Sequence, residues 1–180
     1  MESKKMTPLT LLIPSKLGLE SLTAQEIRDL GYLDLEVRNG EIEVKADAQA
    51  LVRLNIWLRT GERVFLKLSE FPAHTFDELF EGIKKIPWSE FLPKDAQVHV
   101  FSKCLFSALM SDRTVQSISK KAILESLKKV YKLEQFPETG VEFKIHVEVL
   151  HDQARILLDS SGAGLHKRGY RAEAGEAPLR

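Results

Sequence analysis

The chain has 180 residues, of which 43% are hydrophobic and 29% are charged, a balance that excludes a disordered or fibrous protein. Its 26 Lys and Arg residues match its 26 Asp and Glu residues, so the net charge gives no sign of a nucleic-acid partner. The single cysteine excludes an internal disulfide framework, and the apolar run at residues 9–13 is too short for a signal sequence or a membrane span. We predict a soluble cytoplasmic α+β protein without membrane association.

The first 70 residues carry patterns for four strands. These stretches lie at residues 9–14, 33–37, 42–46 and 64–68. Asn39-Gly40 separates the second stretch from the third, and both residues tolerate the positive φ angles of a type I′ turn. The spacing therefore predicts a β-hairpin with a two-residue turn.

Two helical patterns separate these strands. The first places Leu19, Leu22, Ile27 and Leu30 on one stripe, and Gly31 is positioned to end the helix. The second begins at the N-cap Asp47, ends at Gly61, and has a predicted apolar face of Leu51, Val52, Ile56 and Trp57. The order β-α-β-β-α-β predicts a ferredoxin-like domain over residues 1–70, a layout that hosts many unrelated activities.

Residues 71–160 predict a second domain of mixed structure. Thr75 or Asp77 can cap a short helix that stops before Pro87, and Trp88 and Phe91 are expected to anchor an irregular link. Alternating apolar residues predict strands at residues 97–103, 143–149 and 155–158. Residues 151–153 are expected to form the turn between the last two strands.

The longest helix is predicted to begin at Ser111 and to end near Lys132. Its apolar face consists of Val115, Ile118, Ala122, Ile123, Leu127 and Val130. The other side gathers Arg113, Ser117, Lys120, Lys121 and Lys128. Any solvated amphipathic helix has a polar face, but cations clearly outnumber acids here, and such a local positive field can neutralise phosphates.

A glycine-containing stretch, residues 159–164, follows the last predicted strand. It is similar to the start of a nucleotide-binding turn, but no helical stripe follows it, so we predict a tight extended turn and no cofactor site. The chain continues with His166, Lys167, Arg168, Tyr170 and Arg171. Cations pair with phosphate and tyrosine can stack on a base, whereas the alternative is an ordinary solvated linker.

No catalytic centre stands out among the remaining chemistry-bearing residues. The five histidines, at positions 74, 99, 146, 151 and 166, lack the spacing of a zinc site and are expected to be structural or solvated. A positive neighbour, Lys103, could lower the pKa of Cys104. Because no base is in evidence to activate it, we interpret Cys104 as a core or loop thiol.

Residues 156–171 and 177–180 closely resemble the junction between the THUMP and methyltransferase domains of bacterial ribosomal-RNA guanine-N2 methyltransferases. The resemblance implies a THUMP RNA-binding domain at residues 71–160 and a basic linker at residues 161–180, leading to a methyltransferase domain absent from this chain. It implies structured RNA, ribosomal RNA above all, as the partner. It implies S-adenosylmethionine for the parent protein and no cofactor in this chain. The predicted RNA-binding residues are Lys103, Arg113, Lys120, Lys121, Lys128, His166, Lys167, Arg168, Tyr170 and Arg171.

Two alternatives remain open at this point. Enzymes of tRNA thiolation or pseudouridylation can also carry a THUMP domain, although the junction favours the methyltransferase. A ferredoxin-like module that binds a small ligand or another protein, and no RNA, belongs to a different functional class.

Overall fold

The structure is a computed structural model that describes residues 8–162, 164 and 165. The elements in chain order are β1 (Leu9–Pro14), α1 (Glu20–Asp29), β2 (Leu35–Arg38), β3 (Glu41–Ala46), α2 (Ala48–Trp57), β4 (Phe65–Pro72), α3 (Phe76–Lys84), a 3₁₀ helix (Trp88–Glu90), β5 (Gln97–Leu105), α4 (Asp112–Tyr131), β6 (Glu142–Leu150) and β7 (Gln153–Asp159). The chain forms two compact units, which divide within β4 after Leu66, and the described residues from Ser160 onward belong to the first unit. The predicted α+β class and the β-α-β-β-α-β order are confirmed.

The first unit has the strand order β2-β3-β1-β4, with antiparallel pairing throughout. Residues Leu11, Leu12 and Ile13 of β1 are buried at its centre. Asp47 caps α2 as predicted, accepting a hydrogen bond from the Ala50 amide at 3.0 Å. The antiparallel sheet and its two helices therefore form the core of this unit.

The apolar residues noted on α1 and α2 are only partly buried. The buried residues of α1 are Thr23, Ala24, Glu26 and Ile27, and those of α2 are Ala50 and Leu54. Leu22 is half exposed, and Val52, Ile56 and Trp57 are more exposed still. Val52 and Ile56 each lie roughly 160° around the helix from Leu54 because each residue turns the chain by about 100°. Only a narrow stripe of α2 contacts the core.

The Asn39-Gly40 hairpin is confirmed, since Arg38 pairs with Glu41 across the turn. The turn does not have the type I′ geometry that this dipeptide tolerates, because of the two turn residues only Gly40 has a positive φ, at +78°. A type I′ turn requires positive φ at both central residues. Asparagine can adopt a positive φ angle, but nothing requires Asn39 to do so.

Type I′ geometry occurs instead in the second unit. His151 and Asp152 have φ angles of +49° and +60°, and they join Leu150 of β6 to Gln153 of β7. Aspartate is one of the residues that enters this left-handed region most readily. The turn predicted between these strands is confirmed, and its geometry brings the Asp152 carboxylate towards two neighbouring loops.

The second unit has the strand order β4-β7-β6-β5, in which β5 and β6 are parallel and α4 forms the crossover between them. Thr75 is the actual cap of α3, and Thr75 and Glu78 form a reciprocal capping box. Trp88 is buried and donates its indole N–H to the Ile83 carbonyl at 2.9 Å. The core lies between α4 and one face of the sheet.

The predicted apolar face of α4 is largely confirmed. Val115, Ala122, Ile123 and Leu127 are buried, whereas Val130 is 55% exposed near the C-terminal end. Ser119 is buried among them and was not predicted to be. Among the helices of the described residues, none is long and apolar enough to cross a membrane.

Candidate nucleic-acid interface

Five of the ten predicted RNA-binding residues lie in the part of the chain that the structure describes. These are Lys103, Arg113, Lys120, Lys121 and Lys128. The other five, His166, Lys167, Arg168, Tyr170 and Arg171, lie outside the described residues. The described part of the predicted interface therefore lies on β5 and α4.

The N-terminus of α4 is fixed against the end of β5. Ser111 caps the helix, accepting a hydrogen bond from the Thr114 amide at 3.3 Å. The Asp112 carboxylate accepts the Cys104 amide at 2.7 Å, and the Asp112 carbonyl accepts the Ser102 hydroxyl at 2.7 Å. These contacts set the rotation of α4 and hence the direction in which its lysines point.

Three of the predicted lysines converge on one shallow surface, the lysine hollow. It has a volume of about 380 Å³ and is lined by Ser117, Lys120, Lys121, Leu124, Glu125 and Lys128. Arg113 precedes Ser117 by four residues and so lies on the same side of the helix. The structure thus brings together the α4 part of the predicted set.

The lysines of the hollow differ in their ion pairs. Lys120 contacts the Glu138 carboxylate at 2.8 Å, and Lys121 lies 4.0 Å from Glu125. The Lys121 side chain is 71% exposed. Lys128 has no ion-pair partner among the described residues. Lys121 and Lys128 are therefore available to an external anion, whereas Lys120 is held by the protein.

Phe80 is an aromatic neighbour of this surface that the sequence reasoning missed. The ammonium groups of Lys84 and Lys121 lie 5.1 and 5.9 Å from the centre of its ring. Lys84 also contacts Glu125 at 3.2 Å. The only sequence signal was the position of Phe80 on α3, because its proximity to Lys121 depends on how α3 and α4 pack together.

Lys103 lies apart from the lysine hollow. It is exposed on β5, where it pairs in register with Glu148 of β6. Successive side chains of a strand point to opposite faces of the sheet, and Lys103 lies on the face opposite to buried Val98 and Val100. The structure therefore does not join Lys103 to the α4 cluster.

The start of the predicted linker is tied to the first unit. Asn55 donates to the Ser160 hydroxyl at 2.9 Å and accepts from the Ser161 hydroxyl at 2.7 Å. Ser160 also donates to the Val64 carbonyl at 2.7 Å, and the Leu165 amide donates to the Glu62 carbonyl at 2.9 Å. Both serine hydroxyls are thus used inside the protein. The role of Asn55 could not be read from its helical position.

Comparison with known proteins assigns both units. Residues 10–65 match the family model of the RlmL ferredoxin-like domain, and residues 73–159 match that of the THUMP domain. The chain is an RlmL-type ferredoxin-like domain followed by a THUMP domain. The resemblance noted from the sequence is confirmed.

The relatives are methyltransferases. The chain is 45% identical over 177 residues to the Bacillus subtilis protein named "Putative RNA methyltransferase YpsC", a match that covers 97% of this chain and 46% of the relative. It is 28% identical to the ribosomal RNA large subunit methyltransferase K/L of Syntrophotalea carbinolica, over 96% of this chain and 24% of the relative. The chain therefore spans less than half the length of either relative.

A solved structure supports the same relationship. The crystal structure of SMU.472, described as "a putative methyltransferase complexed with SAH", superposes with a TM-score of 0.88 at 37% identity. The match covers 93% of this chain and 45% of that chain. The two-domain arrangement of elements is therefore shared with a protein that was crystallised with S-adenosylhomocysteine.

Cys104 of the THUMP domain has a raised pKa. Burial, together with a side-chain hydrogen bond and the charge of Asp112, raises the pKa of the thiol to about 12. The lowering considered from its neighbour Lys103 is therefore wrong, because the nearby carboxylate and the loss of water outweigh an exposed ammonium group. At neutral pH the thiol is protonated and a poor nucleophile.

The four described histidines, all in the THUMP domain, have separate partners. His74 lies 3.4 Å from the Asp152 carboxylate and His99 lies 4.0 Å from Glu142. His146 and His151 stack on phenylalanine rings. Within the described residues no three His, Cys, Asp or Glu side chains are grouped to hold a metal ion.

Proposed function

We propose that this chain holds structured RNA for an S-adenosylmethionine-dependent ribosomal-RNA guanine-N2 methyltransferase. The names of the relatives and the order of the two domains support this proposal. The relatives extend well beyond the matched region, and methyl transfer belongs to that remainder. A cytoplasmic location, a linker at residues 161–180 and S-adenosylmethionine as the cofactor of the whole protein are parts of the same proposal.

The observation that carries the proposal is the lysine hollow of the THUMP domain. Three lysines line a single surface, and Glu125 is the one carboxylate that lines it with them among the described residues. Lysine is a compact point charge that suits phosphate, and phosphate contacts supply most of the affinity in sequence-independent binding. Double-stranded RNA is read mainly through its shape and backbone, because side chains cannot read its deep major groove.

Each residue of the interface has a distinct part in this proposal. Lys121, Lys128 and Arg113 contact phosphates directly. Lys120 stays in its ion pair with Glu138 and contributes positive potential to the surface, but it does not contact a phosphate itself. The predicted cations beyond the described residues, from His166 to Arg171, extend the contact along the same RNA.

The test removes the two available charges with Lys121→Gln and Lys128→Gln in one variant. Lys120 is left intact because its removal would also unpair Glu138. The matched control is Arg28→Gln with Lys45→Gln, which removes two exposed cations from the ferredoxin-like domain. Binding of a labelled ribosomal RNA hairpin is titrated at two salt concentrations.

We expect the α4 variant to bind more weakly and its salt slope to fall by about 2, one for each lost phosphate contact, while the control stays unchanged. Unchanged affinity and slope in the α4 variant would contradict the proposal. Much tighter binding of a tRNA than of the ribosomal hairpin would move the proposal to the tRNA-modifying enzymes.

A further inference from the structure

The THUMP sheet has a second face, opposite to α4, on which the β5 side chains are largely exposed and the β6 side chains half-buried, whereas Leu157 of β7, the register partner of His146, is buried. We call it the open sheet face. On β5 it carries His99, Phe101, Lys103 and Leu105, and on β6 it carries Lys144, His146 and Glu148. The alternate residues of the same strands, Val98, Val100, Ile145 and Val147, are buried. An exposed aromatic ring on such a face needs an explanation, because apolar groups otherwise favour burial.

Phe101 and His146 form a stacked pair at the centre of this face. They are register partners on the parallel strands β5 and β6, with ring centroids 5.1 Å apart and an interplanar angle of 25°. Phe101 is 44% exposed. The phenylalanine ring thus stacks on the His146 ring while part of its surface is open to solvent.

A second stacked pair lies just past the end of β5. Phe106 and His151 have centroids 5.4 Å apart and an interplanar angle of 12°, and Phe106 is 79% exposed. Phe106 also has a φ of +50°, which is unusual for a bulky residue. Because a strand rises by about 3.3 Å per residue, the two phenylalanines are roughly 16 Å apart along the chain direction.

The loop that presents Phe106 is held by hydrogen bonds. The Asp152 carboxylate accepts the Ser107 hydroxyl at 2.8 Å and the Ala108 amide at 2.7 Å. The turn containing Asp152 also carries His151, the stacking partner of Phe106. The turn at residues 151–152 therefore positions both the loop that carries Phe106 and the His151 ring that stacks on it.

The charges between the two rings favour an anion. Glu148 is paired with Arg155 at 2.7 Å, and Glu142 lies near Lys144 at 3.8 Å and His99 at 4.0 Å. Lys103, which lies between Phe101 and Leu105 on this face, has no ion-pair partner among the described residues. A free ammonium group on the stretch between two exposed rings suits a phosphate of the RNA segment that joins two stacked, non-adjacent bases.

We propose that the open sheet face is a stacking platform for single-stranded RNA, with bases on Phe101 and Phe106 and a phosphate on Lys103. This inference rests on the proposed function and adds a second mode of contact to it. Exposed aromatic rings on a sheet bind unpaired bases by stacking, and cations along the groove follow the backbone. The platform would take an unpaired segment that flanks the structured element bound at the lysine hollow.

The test compares two RNAs on the 180-residue chain. The first is an eight-nucleotide RNA of adenines and cytosines, which cannot pair with itself, and the second is a ribosomal hairpin. The variants are Phe101→Leu and Phe106→Leu, which keep an apolar side chain but remove the ring, with Phe101→Tyr as the matched control. The Lys121→Gln, Lys128→Gln variant is titrated beside them.

We expect each leucine variant to bind the single strand about 5- to 100-fold more weakly, the loss that follows removal of one stacked base. Phe101→Tyr should retain the parental affinity, and hairpin binding should respond to the lysine variant instead. Single-strand binding that is unchanged in both leucine variants would overturn the inference. If hairpin binding still depended on the lysines, the proposed function would survive that result, whereas a parent chain that binds neither RNA would refute both.

A second measurement uses the parent chain alone and so remains informative if a leucine variant fails to fold. The parent chain is photo-crosslinked to a version of this single strand in which one nucleotide is replaced by 4-thiouridine, and the linked peptides are mapped. Crosslinks within residues 99–106 or 146–151 support the platform. Crosslinks confined to α4 would overturn it.

Discussion

Asp152 links three segments of the THUMP domain through a single side chain. Its carboxylate accepts hydrogen bonds from Ala108 and Ser107 and lies 3.4 Å from His74, while its carbonyl accepts the Ala73 amide at 2.8 Å. The backbone N–H of Ala108, the Ser107 hydroxyl and the positive charge of His74 lower the pKa of this carboxyl group. The ionised form is therefore the one that stabilises the fold.

We predict that Asp152→Asn lowers the free energy of unfolding at neutral pH and has progressively less effect in acid. Because the folded-state pKa is depressed, the stabilisation is present above the ordinary carboxyl pKa of about 4 and is lost as the pH falls through the folded value. Asparagine also tolerates the positive φ of this position, so the variant removes the charge and one acceptor oxygen without adding backbone strain. Denaturant unfolding at several pH values measures the difference, and a pH-independent difference would contradict the argument.

Substitutions at Gly40 and Asn39 distinguish the observed hairpin turn, in which only Gly40 has a positive φ, from a type I′ turn, in which both residues would. Only Gly40 has a positive φ, so Gly40→Val should cost roughly 1–2 kcal/mol of stability, the usual penalty of left-handed backbone for a residue with a Cβ atom. Asn39→Ala should cost much less, whereas a type I′ turn would make both changes costly. Thermal melting of the two variants decides, and RNA affinity should remain parental in each.

At the scale of the elements, periodicity predicted which segments are helices and strands but not which face of every helix is covered. The Asp47 cap and the α4 pattern depend on neighbouring residues in the chain, and both were readable. Whether Val52 and Ile56 are buried or exposed depends on which residues from distant parts of the chain pack against α2. Local periodicity cannot show this. For the same reason, the sequence could not show that Phe80 lies near Lys121 or that Asn55 forms hydrogen bonds with Ser160 and Ser161.

Gly82 of α3 lies close to the ring of Phe71 of β4. A Cβ atom at this position would collide with the ring of Phe71. Helix propensity favours alanine over glycine by about 1 kcal/mol, whereas overpacking usually costs about 1–3 kcal/mol. We expect the collision to prevail, so Gly82→Ala should destabilise the chain in denaturant unfolding.

A double-mutant cycle provides the control for Gly82. In a Phe71→Ala background the ring is gone, and Gly82→Ala should then be neutral or stabilising because only helix propensity remains. Destabilisation of equal size in both backgrounds would show that the Phe71 contact is not its cause.

At the scale of the whole molecule, the chain combines a ferredoxin-like domain and a THUMP domain. The order of elements was predictable because each element is set by local periodicity and capping. The interface was only partly predictable. The helical wheel placed Lys121 and Lys128 together, but it could not show that Glu138 holds Lys120 or that Lys103 lies on another face.

We predict that the purified 180-residue chain binds structured RNA without methylating it. The relatives are more than twice as long as the region they share with this chain, and we assign the chemistry to the remainder. Incubation with ribosomal RNA and radiolabelled S-adenosylmethionine should leave the RNA unlabelled. Transfer of label above a heat-inactivated control would contradict this division of roles.

The salt dependence of RNA binding shows whether the exposed cations of α4 hold the RNA by its phosphates. Filter binding of a ribosomal RNA hairpin across a salt series gives the slope of log K against log salt concentration. Arg113, Lys121 and Lys128 alone give a slope of about −2 to −3, since each neutralised phosphate contributes about −0.9 on a duplex, and the proposed linker contacts would make the slope steeper. A flat slope, or no binding at low salt, would contradict the account.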